Sequence, residues 1–364
     1  EWGMYVSFDD GNSWSPFQLN LPVTAIRDLH VRDNDLIAAT HGRSFWIIDD
    51  LTPLHQLSDE IADAGFHLYK PDQAYRMQQS SGWRKPNTKL VGENHPNGAI
   101  LNFYLKNTQA TDTVSLEILE MDGSLIQRFS NRAKENKLDP TADKPLKVKS
   151  GGNRLIWNMR YPGYKTFKGM VFYSSPNIGP KAVPGDYLVR LNYNGQSLEQ
   201  VLTIIKDPRM PNTDEDYQEQ FDFLIAVRDQ VSRANTAIVD IRDVKKDLDY
   251  LKGKSGLKPG LKEMIADFES KLDIVENTIH MTKNQSRQDP LNYGIRINNR
   301  LAFLMADSQR GDYRPTDQAK EFFTEVTKEL DTEIQALNGL MKEYVSKVNG
   351  QVSENNMEVI SLKK

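Results

Sequence analysis

The sequence of 364 residues predicts β structure in its first part and α structure in its second part. Up to about residue 205, apolar and polar residues alternate in short runs that are separated by Gly, Asn and Asp. From about residue 213 onward, apolar residues recur in steps of three and four, which is the spacing of one helix face. The chain is longer than one hydrophobic core usually organises, so we expect two or three domains.

The first strands, in residues 1–57, have the spacing of an antiparallel sheet. Their apolar runs are separated by turn residues and comprise residues 4–8, 14–19, 25–31, 36–40 and 45–48. Four such strands form about one blade of a β-propeller, so we expect the end of a propeller here. Because strand begins at once and no signal-peptide pattern precedes it, we expect an upstream part that carries any export signal.

A short turn motif in this region matches the Asp-box pattern S-x-D-x-G-x-[ST]-W. Its defining residues are Ser7, Asp9, Gly11, Ser13 and Trp14. Gly11 suits the positive φ of a tight turn, Asp9 is an acceptor for backbone N–H groups, and Trp14 is able to cover the turn. We therefore predict a structural hairpin. Calcium binding by Asp9 and Asp10 is the alternative, although few further oxygen ligands follow at loop spacing.

A family resemblance begins at residues 39–50, where the sequence is Ala-Thr-His-Gly-Arg-Ser-Phe-Trp-Ile-Ile-Asp-Asp. Further landmarks are Gly-Glu-Asn-His-Pro-Asn-Gly-Ala at residues 92–99, Pro-Gly-Asp-Tyr at 184–187 and Asp-Pro-Arg at 207–209. With the Asp box, they resemble the C-terminal region of the large bacterial sortilin-like (VPS10-type) BNR-repeat β-propeller proteins, often labelled glycosyl hydrolases. The resemblance covers nearly the whole chain, and His95 departs from it where Pro is expected.

The middle of the chain predicts a connector followed by a second β domain. Residues 58–98 carry several Pro and polar stretches, so we expect a connector that packs against the propeller. In residues 99–207 the two-residue alternation returns, with a hairpin signal at Asn194-Gly195. These features predict an Ig-like or fibronectin-like β-sandwich with Trp157 in its core and a Gly- and Pro-rich excursion at residues 160–183.

Residues 213–350 are predicted to form an antiparallel helical bundle. The spacing indicates a long helix after Thr213, a second helix from about residue 261, a short one near residues 295–306 and a last one from about residue 316. Thr213 and Asp216 resemble a capping box. Residues 351–364 are predicted to form a loosely packed tail.

The composition excludes several classes of partner. The chain has 46 Lys and Arg against 50 Asp and Glu, a net charge of -4, so no basic surplus exists to bind a nucleic-acid backbone. No apolar run approaches the roughly 20 residues that cross a bilayer, so we expect a protein that does not span a membrane. The absence of Cys excludes disulfides and thiolate metal sites, and it fits both a reducing compartment and an exported protein.

The sequence has no catalytic, metal-binding or cofactor-binding constellation. Its six His residues lack the spacing of a zinc site. The Gly-Lys-Ser at residues 253–255 lacks phosphate-loop spacing and follows a helix, so we interpret it as a helix end. A glycosidase needs paired carboxylates, or a Tyr nucleophile with an arginine cluster, and a propeller assembles them from several blades. We therefore predict no catalytic residue, metal or cofactor in this chain.

The candidates for a ligand contact in the propeller part are His41, Arg43 and Trp46, which flank a Gly turn beside aromatic residues. The alternative is a structural role in which Arg43 pairs with Asp49 or Asp50. Further candidates for sugar contacts lie in the second β domain, and they are Asn102, Tyr104, Trp157, Tyr161 and Tyr164. The last two lie in the excursion, where aromatic residues need no core role.

Two functions fit these features. The first, implied by the resemblance, is a non-catalytic C-terminal portion of an exported β-propeller protein that binds protein, peptide or glycan outside the cytoplasm. Such a protein is secreted, periplasmic or attached to the cell surface. The second is an accessory region of a sialidase-like glycoside hydrolase whose catalytic residues lie upstream. Paired carboxylates facing inward in the upstream blades would favour the second function.

Overall fold

The structure is a computed structural model that describes residues 3–77, 94–254 and 257–353. Contacts divide the chain into two units. The first comprises Glu1–Ala133, Pro145–Met159 and Gly185–Asp207, and the second comprises Lys134–Lys144, Arg160–Pro184 and Pro208–Lys364. Several predicted features lie wholly or partly outside the described residues: residues 78–93 of the predicted connector at 58–98, the start of the landmark at 92–99, the end of Gly-Lys-Ser at 255, and the tail from 354.

The N-terminal part of the first unit contains two small antiparallel sheets. β1 (Tyr5–Val6) pairs with β2 (Ser15–Pro16), while β3 (Ile26–Arg32), β4 (Asp35–Thr40) and β5 (Phe45–Ile48) form a three-stranded sheet in sequence order. Two short helices follow, α1 (Thr52–Gln56) and α2 (Asp59–Asp63). Pro53 opens α1, and the Ser58 side chain caps α2 by accepting the Ile61 N–H.

Two further sheets complete this unit. One is antiparallel and contains β6 (Phe66–Leu68), β8 (Ala99–Leu105) and β12 (Gly151–Trp157), with β8 in the centre. The other contains β7 (Ala74–Arg76), β9 (Val114–Leu119), β10 (Leu125–Ser130), β11 (Lys144–Pro145), β13 (Gly185–Tyr193) and β14 (Gln196–Lys206). Its strand order is β11-β10-β9-β13-β14-β7, and β7 joins β14 in parallel.

Strand alternation explains the core between these two sheets. On β8, Leu101, Phe103 and Leu105 are buried, so every second side chain of the strand faces the core. Trp157 on β12 is 1% exposed, and its ring meets the ring of Tyr187 on β13 edge to face at 5.9 Å. The predicted core position of Trp157 is therefore confirmed. Its prediction as a sugar contact is wrong, because the ring is inaccessible.

The second unit is built from helices. They are α3 (Asp214–Lys252), α4 (Pro259–Ile279), α5 (Pro290–Tyr293), α6 (Ile297–Ser308) and α7 (Asp317–Ser353). The capping box at the start of α3 is confirmed: Thr213 N–H donates to Asp216 Oδ2 at 2.7 Å, and Asp216 N–H donates to Thr213 Oγ1 at 3.3 Å. Apolar stripes of α3, α4, α6 and α7 share one core. Within the described residues, no helix has the length and apolar character to cross a membrane.

The predicted excursion packs into this helical unit, and we call residues 160–184 the strap. Tyr164 and Phe167 of the strap belong to the helical core, and Tyr164 is 1% exposed. The Tyr164 hydroxyl donates to the Ser175 carbonyl at 2.9 Å. The ring of Tyr161 meets Phe221 on α3 edge to face at 4.8 Å. The prediction that Tyr164 contacts sugar is therefore wrong, because the helices already cover its ring.

Two Asn side chains hold the strap to the helices through its backbone. Asn235 on α3 donates from Nδ2 to the Lys165 carbonyl at 2.7 Å. Asn299 on α6 accepts the Tyr173 N–H at 2.7 Å and donates to the Tyr173 carbonyl at 3.2 Å. Because the strap has no regular secondary structure, these bonds satisfy backbone groups that burial would otherwise leave unpaired.

The change from strand to helix falls where the periodicity predicts it, since β14 ends at Lys206 and α3 begins at Asp214. The coarse class, β followed by α, is therefore confirmed. Several elements that the sequence does not signal are two to five residues long, too short to show a period: α1, α2, α5, β7 and β11. The propeller blade and the Ig-like sandwich stay predictions.

We expect Tyr164→Ala to lower the free energy of unfolding by about 3–5 kcal/mol, because it leaves a cavity in the helical core and removes a buried hydrogen bond. Urea unfolding followed by circular dichroism measures this loss. Tyr173→Ala is the matched control, since the Tyr173 side chain of the same strap is 40% exposed. Equal losses for both variants would contradict the packing of the strap.

A buried His lies beneath the strap. His280, at the end of α4, is 2% exposed, and its ring meets Phe167 edge to face at 4.9 Å. Its Nδ1 lies 3.2 Å from Nδ2 of the buried Asn298. Burial, together with the positive charge of Arg242, lowers the pKa of His280 to about 4. The ring is therefore neutral at pH 7.

This burial gives the helical unit a stability that depends on pH. The unfolded chain binds the His280 proton below its ordinary pKa of 6.5, whereas the folded chain resists it until about pH 4. The contribution is therefore complete above about pH 6.5 and is lost as the pH falls toward 4, by up to about 3 kcal/mol. Unfolding free energies of the wild type and His280→Gln, measured across this range, are expected to converge toward low pH.

The control for this measurement is His30→Gln, which removes an exposed imidazole on β3. We expect His30→Gln to follow the wild-type pH dependence throughout. A constant difference between wild type and His280→Gln from pH 7 to 4 would contradict a neutral buried imidazole.

Candidate functional site

The Asp-box residues form one hydrogen-bonded turn between β1 and β2. Ser7 Oγ donates to Asp9 Oδ1 at 2.8 Å and accepts the Gly11 N–H at 2.7 Å. Ser13 donates its N–H and its hydroxyl to the two Asp9 oxygens, at 2.8 and 2.6 Å. Gly11 has a φ of +88°, and Trp14 Nε1 donates to its carbonyl at 3.1 Å. These side chains therefore stabilise the turn itself.

The hydrogen bonds to Asp9 also stabilise its charged carboxylate form. Those from the side chain and backbone of Ser13, and then from Ser7, lower the pKa of Asp9 to about 2. Because both Asp9 oxygens accept hydrogen bonds, the geometry favours the structural interpretation over a calcium ligand. Across the part of the chain that is described, no three His, Asp or Glu side chains converge as metal ligands.

The three predicted contact residues, His41, Arg43 and Trp46, lie on the β4–β5 hairpin. Its turn needs the positive φ of Gly42, at +77°. The Arg43 N–H donates to Thr40 Oγ1 at 3.1 Å, and Trp46 Nε1 donates to the Arg43 carbonyl at 2.9 Å. His41 and Arg43 are exposed at the tip, and Trp46 is half-buried. The hairpin thus presents His41 and Arg43 to solvent.

The alternative role for Arg43 does not hold, because its guanidinium forms no ion pair with the described Asp49 or Asp50. The Asp50 carboxylate is buried instead and accepts the Thr52 N–H at 3.0 Å. A ligand contact at His41, Arg43 and Trp46 stays a prediction.

A cleft of about 700 Å³ lies elsewhere, on the outer face of the sheet that contains β8 and β12. Asn102 and Tyr104 on β8 point to this face because Leu101, Phe103 and Leu105 face the core. In the register of the sheet, Arg154 of β12 lies beside Asn102, and Gly152 lies beside Tyr104. Two of the residues predicted as sugar contacts, Asn102 and Tyr104, therefore meet in one cleft.

The two walls of this cleft are fixed by hydrogen bonds. One wall is Pro53 of α1 together with Leu57, the residue that follows α1. Gln56 holds this wall in place, since it accepts the Lys70 N–H and donates to the Lys70 carbonyl, both at 2.9 Å. The other wall is the segment 147–149. Asn153 holds that segment, since it accepts the Lys149 N–H at 2.9 Å and donates to the Lys149 carbonyl at 2.7 Å.

A chain of side-chain hydrogen bonds sets the position of the cleft's Arg. The buried Asp50 carboxylate accepts from Asn102 Nδ2 at 2.6 Å. This fixes the orientation of the amide, so Asn102 Oδ1 accepts from Arg154 Nε at 3.2 Å. Arg154 Nη2 donates to the Asp49 carbonyl at 3.2 Å. We call Asp50, Asn102 and Arg154 the relay.

Aromatic side chains form the third part of the cleft. Tyr69, which is buried, and Tyr104, which is half-buried, both line it. His67 lies beside Tyr104 in the register of β6 and β8 and meets the Tyr69 ring at 5.0 Å. Burial lowers the pKa of His67, and burial, followed by the neighbouring Tyr104, raises the pKa of Tyr69. The Tyr69 hydroxyl and the His67 imidazole are therefore neutral at pH 7.

The charge of the lining is one-sided. Lys147, Lys149 and Arg154 line the cleft, and none of its described lining residues carries a carboxylate. Neither Lys forms an ion pair with a described residue. Aromatic rings, amides and unpaired cations are groups that bind a hydroxyl-rich or negatively charged ligand. No acid–base pair lies among them, so the arrangement is suited to binding.

Sequence reasoning identified the residue types on β8 but not their partners. Lys147, Lys149 and Arg154 are ordinary exposed cations by their position in a strand or loop, and the sequence offers no sign that they meet. Asp50 carries a weak signal, because Asp tolerates the positive φ of +68° that the chain adopts there.

Comparison with known proteins gives little further information. No protein-family model matches this chain, and no curated protein matches it. One solved structure, named "pT26-6p", is similar over 68% of this chain at 13% identity, with a TM-score of 0.15. The similarity covers 47% of that structure, so it spans about half of its length. A TM-score this low supports no argument about fold or function.

We expect Asn102→Ala to lower the free energy of unfolding by about 1–3 kcal/mol, because the buried Asp50 carboxylate loses its shortest hydrogen bond. Chemical denaturation monitored by tryptophan fluorescence measures the loss. Asn107→Ala, at an exposed position just after β8, is the control and is expected to change stability by less than about 0.5 kcal/mol. A neutral effect of Asn102→Ala would show that the relay contributes nothing to the fold.

Proposed function

We propose that this chain is the non-catalytic C-terminal portion of an exported β-propeller protein and that it is a ligand-binding platform. The observation that carries the binding role is the cleft over β8 and β12, which combines two tyrosine rings, an amide and three cations that form no ion pair with a described residue. Its volume lies within the range of about 300–1,000 Å³ that is usual for ligand sites. A glycan, or a peptide segment of a protein, is the proposed ligand.

The membership in a propeller is supported by the sheet of β3, β4 and β5. Phe45 and Ile47 on β5 are 73% and 57% exposed on one face. Leu29 and Val31 on β3 are also exposed, and their register places them on the opposite face. A propeller blade packs against neighbouring blades on both faces, so apolar residues on both are what a blade needs.

The alternative, an accessory region of a glycoside hydrolase, keeps the same cleft but adds catalysis by upstream residues. Glycoside hydrolysis needs two carboxylates on either side of the sugar, or a Tyr nucleophile with its acidic partner. The described lining of the cleft contains Tyr104 and Tyr69 but no carboxylate. We therefore rank binding above an accessory role in hydrolysis.

The platform is tested by binding of this chain to arrays of neutral glycans, acidic glycans and peptides. We expect at least one class to bind, and we expect Tyr104→Ala to weaken that binding about tenfold, which corresponds to about 1.4 kcal/mol. Tyr75→Ala is the matched control, because Tyr75 on β7 is 48% exposed and does not line the cleft.

Two results would contradict the proposal. One is an equal loss of binding affinity in Tyr104→Ala and Tyr75→Ala, which would show that the ligand does not bind in the cleft. The other is turnover of a glycan by this chain alone, which would contradict its non-catalytic role. Circular dichroism of each variant establishes that the fold is retained.

A further inference from the structure

We infer that the cleft selects a carbohydrate that carries carboxylate groups, and that Arg154 is the residue that reads the charge. This inference deepens the proposed function and rests on it. It names the ligand class of the same cleft: an acidic oligosaccharide such as an oligouronate.

The first support is the local charge. Lys147, Lys149 and Arg154 line the cleft, and its described lining contains no carboxylate, whereas the whole chain has a net charge of -4. The net charge of the chain therefore does not attract anions. A local cluster of three cations against that background is a site for negative charge.

The second support is the state of the Arg154 guanidinium. Its Nε and Nη2 donate to Asn102 and to the Asp49 carbonyl, so the plane of the group is fixed. Nη1 has no protein acceptor among the described residues. Its remaining N–H donors therefore point in a fixed direction. A carboxylate that binds to them costs little side-chain conformational entropy, because the guanidinium is already ordered.

The third support separates a sugar from a peptide. Asn102, Tyr104 and Arg154 project from the face of a sheet, and Tyr104 lies beside Gly152, which has no side chain. No atom lies within 4 Å of the place where a Cβ at Gly152 would be, so the floor beside the Tyr104 ring is open. A flat pyranose fits such a floor, whereas peptides that bind sheets commonly use backbone hydrogen bonds along an edge.

The inference is tested by calorimetric titration of this chain with tetragalacturonate and with its fully methyl-esterified form. The ester keeps the sugar rings but removes the charges. We expect the ester to bind at least about tenfold more weakly, and Arg154→Gln to weaken tetragalacturonate by about 10- to 100-fold, as for a charge-assisted hydrogen bond. Arg32→Gln on β3 is the charge-matched control, since Arg32 does not line the cleft.

A second variant tests the charge of the cleft without changing the relay of Asp50, Asn102 and Arg154. Lys147→Gln with Lys149→Gln changes two exposed side chains that have no ion-pair partner among the described residues, so the fold is expected to remain intact. We expect this double variant to weaken binding of tetragalacturonate at least about tenfold and to weaken binding of the ester by a smaller factor. Equal losses in the double variant and in Arg32→Gln would overturn the inference.

The outcomes distinguish the inference from the proposed function. Equal affinity for the acid and the ester, with both lost in Tyr104→Ala, would overturn the acidic ligand and leave the platform standing. Tighter binding of tetraglutamate than of tetragalacturonate would overturn the sugar in favour of an acidic peptide. Binding of no carbohydrate and no peptide by the folded chain would overturn both.

Discussion

The hydrogen bond between the Asp50 carboxylate and the Asn102 amide is the constraint on which the cleft of the first unit depends. A buried carboxylate is costly unless donors surround it. Asp50 receives donors from three places in the chain: Asn34 before β4 at 3.3 Å, the Thr52 N–H of α1 at 3.0 Å and Asn102 of β8 at 2.6 Å. The hydrogen bonds to this one carboxylate therefore connect the turn before β4, the start of α1 and the strand β8. The orientation of Arg154 follows from the same amide.

The sequence predicts the larger elements because each has a period long enough to read. The helices α3, α4, α6 and α7 bury apolar residues at three- and four-residue steps, and β8 buries every second residue. The strap has no period, so its burial was beyond prediction. Its position depends on Asn235 and Asn299 finding its backbone across about 70 and 126 residues of sequence. Contacts at such separation leave no local pattern.

The candidate site divides in the same way. Asn102 and Tyr104 are recognisable by type, because polar and aromatic residues at outward strand positions suit a ligand. The same reasoning fails for Trp157 and Tyr164, which are large enough to serve a core and do so. The sequence does not single out Arg154, because its fixed orientation depends on contacts with residues that are distant in sequence. A lone exposed Arg on a strand is usually a solvated side chain, and only the register beside Asn102 gives it a fixed direction.

Rigidity connects the cleft to its proposed role. Each part of it is held by bonds that do not involve a ligand: α1 by Gln56, the segment 147–149 by Asn153, and Arg154 by the relay. A site that is already ordered loses little conformational entropy on binding, so modest contacts are enough for useful affinity. Lys147 and Lys149 are exposed, and a Lys side chain has a flexible stem. Under the proposed role, a rigid floor beside such cations suits a ligand that carries repeated negative charges.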